Sequence, residues 1–278
     1  MDFVYFGYDF MLPAVRNLVA RGHRLKGVFS FECDNIFNFN QQTQQFAKIH
    51  KAPFTLEPPT PEALQPFLAQ GVGCFLSAGY RHKIPPIDDS RAYAVNVHPT
   101  ALPLARGVMP IPRILLQNMQ EAAGFTAHKM TQRFDEGDIL LQETFALSPR
   151  ETVETYCAKI AMRAPDMLER LFAGLPALWQ NARPQDHARA TWLKAPTEDM
   201  RFLDPAQTIA EIDRVGRAFG RFGSFIRFNN QVWAVFNYDI WAEAHSYTVG
   251  EVVATLSRET TLAVKDGFLT LKEFYPVT

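Results

Sequence analysis

The first hundred residues alternate between short apolar runs and stretches with helical spacing, and this alternation narrows the possible architectures more than any other feature. Phe3-Val4-Tyr5-Phe6 is an unbroken apolar run stopping at Gly7, the pattern of a strand buried on both faces. Pro13–Ala20 reads as a helix, with apolar residues at Ala14, Val15, Leu18 and Val19 and Gly22 as its stop. Arg24–Ser30 is the next strand, followed by a helix from Asn40 to His50 and a short strand at Pro53–Leu56. A helix from Pro61 to Gln70 and the strand Gly73–Ser77 complete the series. Strands separated by helices require crossover connections, so the expectation is an α/β fold: a Rossmann-like, mostly parallel sheet with helices on both faces.

Sheets of this kind bind ligands beyond the carboxyl ends of their strands, where strand order reverses. Gly7-Tyr8-Asp9, Ser77-Ala78-Gly79-Tyr80 and Asn96-Val97-His98 all fall at such ends and are candidates for one cleft. No G-x-G-x-x-G follows the first strand, which argues against dinucleotide binding. Residues 108–123 read as a helix entered through Pro110 and Pro112. Gly124–Met130 and Ile139–Glu143 read as a hairpin around an Asp135 loop, and 151–181 as a long helix.

The composition then changes. Asn181–His187 is polar and turn-like and reads as a linker. Beyond it a helix is expected over Ala206–Phe219, then short strands at 224–228, 232–236, 250–256, 262–264 and 269–271, with Asn229-Asn230 and Lys265-Asp266-Gly267 as hairpin turns. That spacing predicts a small C-terminal β-barrel, OB-like in type. The expected domains are 1–185, catalytic, and 186–278, the barrel.

At 278 residues with 47% hydrophobic content, the chain has enough apolar material for two cores. The net charge of −1 provides no global field toward nucleic acid or an anionic membrane, although Arg214, Arg217, Arg221 and Arg227 lie close together. Cys33, Cys74 and Cys157 show no C-x-x-C spacing, which predicts neither a disulfide framework nor a metal site, but reduced thiols in a cytoplasmic protein. The N-terminus does not have the form of a signal peptide, and no apolar run approaches the ~20 residues needed to span a bilayer.

The chemistry concentrates in Asn96-Val97-His98-Pro99 and in Asp135 of Arg133-Phe134-Asp135-Glu136-Gly137-Asp138. On an extended backbone Asn96 and His98, two residues apart, face the same way. The Asn96 amide can donate to an oxyanion, and one such donor is worth ~3 kcal/mol in a transition state. An imidazole titrating near neutrality suits proton transfer, and a carboxylate beside it would orient or charge-stabilise it. Taken singly, each fragment also fits a loop satisfying its own backbone or an ordinary hairpin turn.

Together, Asn96-Val97-His98-Pro99 with Leu102-Pro103 and Arg106-Gly107, then Gly124-Phe125-Thr126 and Phe134-Asp135-Glu136-Gly137-Asp138, resemble the signature of the 10-formyltetrahydrofolate-dependent formyltransferases. That superfamily includes methionyl-tRNA formyltransferase, glycinamide ribonucleotide transformylase and the sugar N-formyltransferases. The resemblance covers most of 1–180 and, more loosely, extends to an appended barrel over Ala195–Phe274. It implies catalytic roles for Asn96, His98 and Asp135 and 10-formyltetrahydrofolate as cosubstrate. It also implies that the folate lies along Ser77, Gly79, Tyr80 and Arg81 and the loop carrying Arg133, Phe134, Gly137 and Asp138. No metal is implied.

The acceptor amine is less marked. In the tRNA enzymes a basic, Gly-rich insertion follows the second strand, whereas here Phe31–Asn40 is acidic and aromatic and offers no cation to a phosphate backbone. His128 is similar to a position often held by histidine in the small-molecule branch, or is simply a strand-face histidine. A small amine is therefore expected, on a nucleotide-linked amino sugar or of ornithine type. Tyr8, Phe37 and Phe39 either stack on that acceptor or belong to the core, and Arg106 and His128 are counted with them as acceptor contacts. tRNA formylation stays open as an alternative, as do a hydrolase or folate-binding role and homodimerisation through the barrel.

Overall fold

The computed structural model describes residues 1–35 and 38–277. It forms two compact units: Met1–Pro110 with Gln120–Ala146 and Cys157–Lys194, and Ile111–Met119 with Leu147–Tyr156 and Ala195–Thr278.

The first unit is built on a seven-stranded sheet. Strands β1 (Asp2–Gly7), β2 (Arg24–Phe29), β3 (Phe54–Thr55), β4 (Cys74–Ala78) and β5 (Tyr93–His98) run parallel in the spatial order β3-β2-β1-β4-β5. The strand order therefore reverses between β1 and β4. Helices α1 (Leu12–Ala20), α2 (Gln41–Ile49) and α3 (Pro61–Ala69) make the connections. Helix α3 starts where the Thr60 hydroxyl accepts the Ala63 N–H at 3.2 Å, with Pro61 already set to helical φ.

The apolar run of β1 is explained by cover on both sides. Val4 and Phe6 pack with Phe29, Phe75 and Leu64 of α3. Phe3, on the alternate face, meets Phe172 edge-on at 5.5 Å. Phe172 lies in the helix α5 (Val153–Gln180), whose residues from Cys157 onward belong to this unit. Each phenyl ring so buried contributes on the order of 2 kcal/mol.

Beyond β5 the chain forms β6 (Arg106–Gly107) and α4 (Pro110–Leu116). It then returns as β7 (Gly124–Lys129) and β8 (Ile139–Thr144), which add to the β5 edge antiparallel. Helix α4 is much shorter than the sixteen-residue stretch expected. Asn118 adopts a left-handed φ of 49°, and the Met119 N–H returns to the Ile114 carbonyl, closing the helix within two residues of Leu116. The stretch read as a linker is held in place: Arg183 bridges to Ile139 through two backbone hydrogen bonds, and Gln185 is buried. It leads into β9 (Trp192–Leu193), which pairs with β6 in parallel.

The second unit contains helix α6 (Ile209–Phe219) and five antiparallel strands: β10 (Ser224–Phe228), β11 (Gln231–Ala242), β12 (Val252–Leu256), β13 (Glu259–Val264) and β14 (Gly267–Pro276). Their order is β10-β11-β14-β13-β12, and among the described residues no ladder joins β10 to β12. A closed barrel was expected; the structure shows a five-stranded antiparallel sheet. Strands β11 and β14 also run well past the stretches expected for them. Thr208 and Glu211 cap α6 reciprocally. Ile212 of the helix packs on Ile226, Val235, Leu262, Leu269 and Leu271 as the unit's core. Asn229 and Asn230 both take left-handed φ, as a two-residue hairpin turn demands. Among the described residues no helix is long and apolar enough to cross a membrane.

Candidate active site

Three elements of the first unit converge at the carboxyl end of β5. Pairing with β7 places Asn96 opposite His128 and His98 opposite Thr126, so Asn96, His98 and His128 project from one face. The loop between β7 and β8 carries Asp135 over that face, with Asp135 at φ 56°.

The Asp135 carboxylate lies between two imidazoles. Its Oδ1 is 3.3 Å from His98 Nδ1 and 3.7 Å from His128 Nε2, while Oδ2 accepts the Gly107 N–H at 3.0 Å. His98, His128 and Asp135 are all buried. The ring roles follow from the partners. His98 Nε2 faces the Ala105 carbonyl at 3.0 Å and so carries a hydrogen, which leaves Nδ1 as the nitrogen that gains or loses a proton against Asp135. His128 Nδ1 donates to its neighbour's carbonyl, Lys129 O, at 2.8 Å, and Nε2 accepts from the Asn96 amide nitrogen at 3.1 Å. That bond fixes the Asn96 amide and leaves its second N–H without a protein partner among the described residues.

The electrostatics fit a proton site. Burial pushes His98 below the ordinary imidazole value, against the pull of Asp135 and the Ala105 carbonyl, so the ring is neutral at neutral pH. Burial also pushes the Asp135 carboxyl up, but in the acid range, where the His98 and His128 rings carry their protons, these two cations and the Gly107 N–H outweigh it and hold it down to about 2. A proton arriving at His98 Nδ1 therefore meets a carboxylate already ionised.

The remaining candidates are distributed as follows. Ser77, the β4 partner of Asn96, is buried. Gly79 has φ +68°, and a Cβ there would stand 2.7 Å from the Tyr8 ring, so the β1 and β4 ends approach closely. The Tyr80 hydroxyl is buried and, among the described residues, has no hydrogen-bond partner, and its ring shares a cluster with Met130, which precedes the Asp135 loop. Arg81 lies 4.2 Å over the Phe31 ring. Arg133 and Phe134 are exposed, Gly137 packs its α-carbon against the Lys129 carbonyl, and Asp138 pairs with Lys129 at 3.6 Å.

Of the acceptor set, Tyr8 sits edge-on to Phe31 at 5.5 Å and Phe39 is half-buried, while Phe37 lies outside the described residues. Arg106 and His128 are both enclosed. The Arg106 side chain is 1% exposed and bonded to Gln185, and the His128 side chain is 2% exposed and held against Asn96. Residues that sequence reasoning missed are Ala105, Thr126, Gln185 and Thr191. The Thr126 hydroxyl donates to Thr100 O at 2.7 Å and accepts from the Leu102 N–H and from Gln142, fastening the loop that follows His98. Among the described residues no group of His, Cys, Asp and Glu is arranged to hold a metal ion.

Residues 45–171, which contain all three candidate catalytic side chains, match the family model described as formyl transferase. The methionyl-tRNA formyltransferase of Lactobacillus acidophilus is 23% identical over 96% of this chain and 88% of its own length. An N-formyltransferase from Helicobacter canadensis, solved with folinic acid and dTDP-3-aminofucose, is similar in fold at TM-score 0.65 and 14% identity over 99% of both chains. HypX from Aquifex aeolicus is similar at TM-score 0.70 and 15% identity, and this chain spans 45% of it. The segment that matches the formyl transferase model carries Asn96, His98 and Asp135, the residues that the fold brings together, and over most of its length this chain is similar to formyltransferase enzymes.

Proposed function

We propose that the protein transfers the formyl group of 10-formyltetrahydrofolate to the amine of a small-molecule acceptor, with Asn96, His98 and Asp135 as catalytic residues. The observation carrying this reading is the Asp135 carboxylate between His98 and His128, beside an Asn96 amide whose second N–H has no partner among the described residues. The amine nitrogen attacks the formyl carbon and the C=O pair moves onto oxygen, where the Asn96 N–H stabilises the oxyanion. The amine's proton passes to His98 Nδ1, where Asp135 stabilises the imidazolium, and the carbonyl reforms as the folate N10 departs with that proton. Ser77, Gly79, Tyr80, Arg81, Arg133, Phe134, Gly137 and Asp138 are assigned to the folate. The Tyr80 hydroxyl, buried and without a hydrogen-bond partner among the described residues, is the polar atom of that group most in need of a ligand.

The small-amine reading is supported by the Phe31–Asn40 segment, which contains Glu32 and Asp34 and no lysine or arginine. A second reading, formylation of methionyl-tRNA, is favoured by relatives such as the Lactobacillus acidophilus enzyme, matched over nearly the whole chain. The test is release of tetrahydrofolate from 10-formyltetrahydrofolate, followed by absorbance, with three acceptors offered separately: a dTDP-linked 3-amino sugar, hydroxyornithine and methionyl initiator tRNA. Turnover with either small amine is the expected result. Turnover with tRNA alone, weakening steeply with salt, overturns the small-amine reading. Formate released without any acceptor makes the enzyme a hydrolase.

A further inference from the structure

We propose that the segment Gln185–Leu193 is a positioning strap for the active site, with Gln185 fixing the Asp135 loop and Thr191 fixing the carbonyl that holds His98. The proposal rests on the catalytic reading of Asn96, His98 and Asp135 given above. Gln185 is buried, and every polar group of its amide is used. Nε2 donates to Asp135 O at 2.9 Å and to Gly137 O at 2.7 Å, while Oε1 accepts Arg106 Nε at 3.2 Å and Nη2 at 2.7 Å. One side chain thus ties the turn presenting Asp135 to a fully buried guanidinium, which also lies 5.6 Å over the Trp192 ring.

Six residues on, the Thr191 hydroxyl accepts the Ala105 N–H at 2.7 Å, and the Ala105 carbonyl is the partner of His98 Nε2. Trp192 and Leu193 then pair as β9 with Arg106 and Gly107, and the Gly107 N–H is the donor to Asp135 Oδ2. Ala105 and Asp135 both hold left-handed backbone at φ 56°, a conformation that persists in non-glycine residues only where the surroundings impose it. The strap supplies that constraint at both points. It touches neither reacting atoms nor substrate in the proposed mechanism, so its members are positioning residues.

Gln185→Glu separates this role from mere pairing with Arg106. The substituted carboxylate keeps an acceptor, and adds charge, for Arg106, but sets oxygen against the two carbonyls that Nε2 now serves. If the strap acts through Nε2, kcat in Gln185→Glu falls ~100-fold while KM for 10-formyltetrahydrofolate stays within about 2-fold. The assay uses the full chain with whichever acceptor of the panel above the unsubstituted enzyme accepts. Thr191→Val lowers kcat in the same manner and Thr191→Ser restores it, which decides the matter if the Gln185 variant loses its fold. Unchanged kcat in a folded Gln185→Glu, or equal kcat in Thr191→Val and Thr191→Ser, overturns the proposal. Asp135→Asn, run alongside, isolates the premise. If it too retains turnover, the catalytic reading has failed; if it alone is inactive, only the strap has.

Discussion

Gly107 combines a left-handed φ with a backbone obstacle beside Asp135, and Gly107→Ala turns that demand into a number. Gly107 has φ +111°, and a Cβ built on it would stand 2.3 Å from the Leu193 carbonyl oxygen, against the ~3.3 Å of a close carbon–oxygen contact. The obstacle is backbone, locked by the β6–β9 pairing, and cannot rotate away. Two costs combine: unfavourable φ at a non-glycine residue, about 1–3 kcal/mol, and overpacking, about 1–3 kcal/mol. Gly22→Ala separates them, because Gly22 has φ +90° and nothing within 4 Å of its would-be Cβ. The expected losses are about 1 kcal/mol for Gly22→Ala and about 3 kcal/mol for Gly107→Ala, read as urea midpoints at constant m. Turnover falls only in Gly107→Ala, because the displaced N–H is the one bonded to Asp135. A Gly107→Ala protein no less stable than Gly22→Ala, with normal turnover, would refute the reasoning.

The Asp135 carboxyl, lowered from 3.8 to about 2, adds about 2 kcal/mol of folding stability that is complete above pH 3.8 and lost as pH falls through about 2. Urea unfolding between about pH 5 and pH 2 should therefore show a steeper acid loss in the unsubstituted protein than in Asp135→Asn; parallel curves contradict it. Asn96→Ala, His98→Ala and Asp135→Ala are each expected to lower kcat by about 10²–10⁴. The triple variant should be little worse than the worst single one, and multiplying losses would mean that the three do not act as a unit. Thr208→Ala removes one half of the reciprocal cap on α6 and should cost about 1 kcal/mol, visible in unfolding followed by tryptophan fluorescence.

What could be read from the chain tracks how local each signal is. Phe3–Phe6 announces a strand covered on both faces, and the strand–helix alternation carries through to the parallel part of the sheet. Asn96 and His98 share a face because they are two apart on a strand. The placement of His128 follows from the β5–β7 register, which no single-strand pattern encodes. Gln185 and Thr191 were invisible for a different reason. Their partners lie 48 to 86 residues away, and a short polar stretch bent back onto a site looks, in composition, like a linker. Strand β11 outruns its apolar signal because its second half alternates Tyr238 and Ile240 with Asn237 and Asp239, a half-exposed pattern weaker than an apolar run. The end of α4 depends on one left-handed asparagine that helical periodicity passes over.

The most direct test of the central claim follows an isotopically labelled formyl group from 10-formyltetrahydrofolate in the presence of an acceptor amine, with the unsubstituted enzyme and Asp135→Asn side by side. The account predicts label on the amine nitrogen with the unsubstituted enzyme and almost none with Asp135→Asn. Label transferred at equal rates by both, or appearing only as formate whatever amine is present, would contradict it.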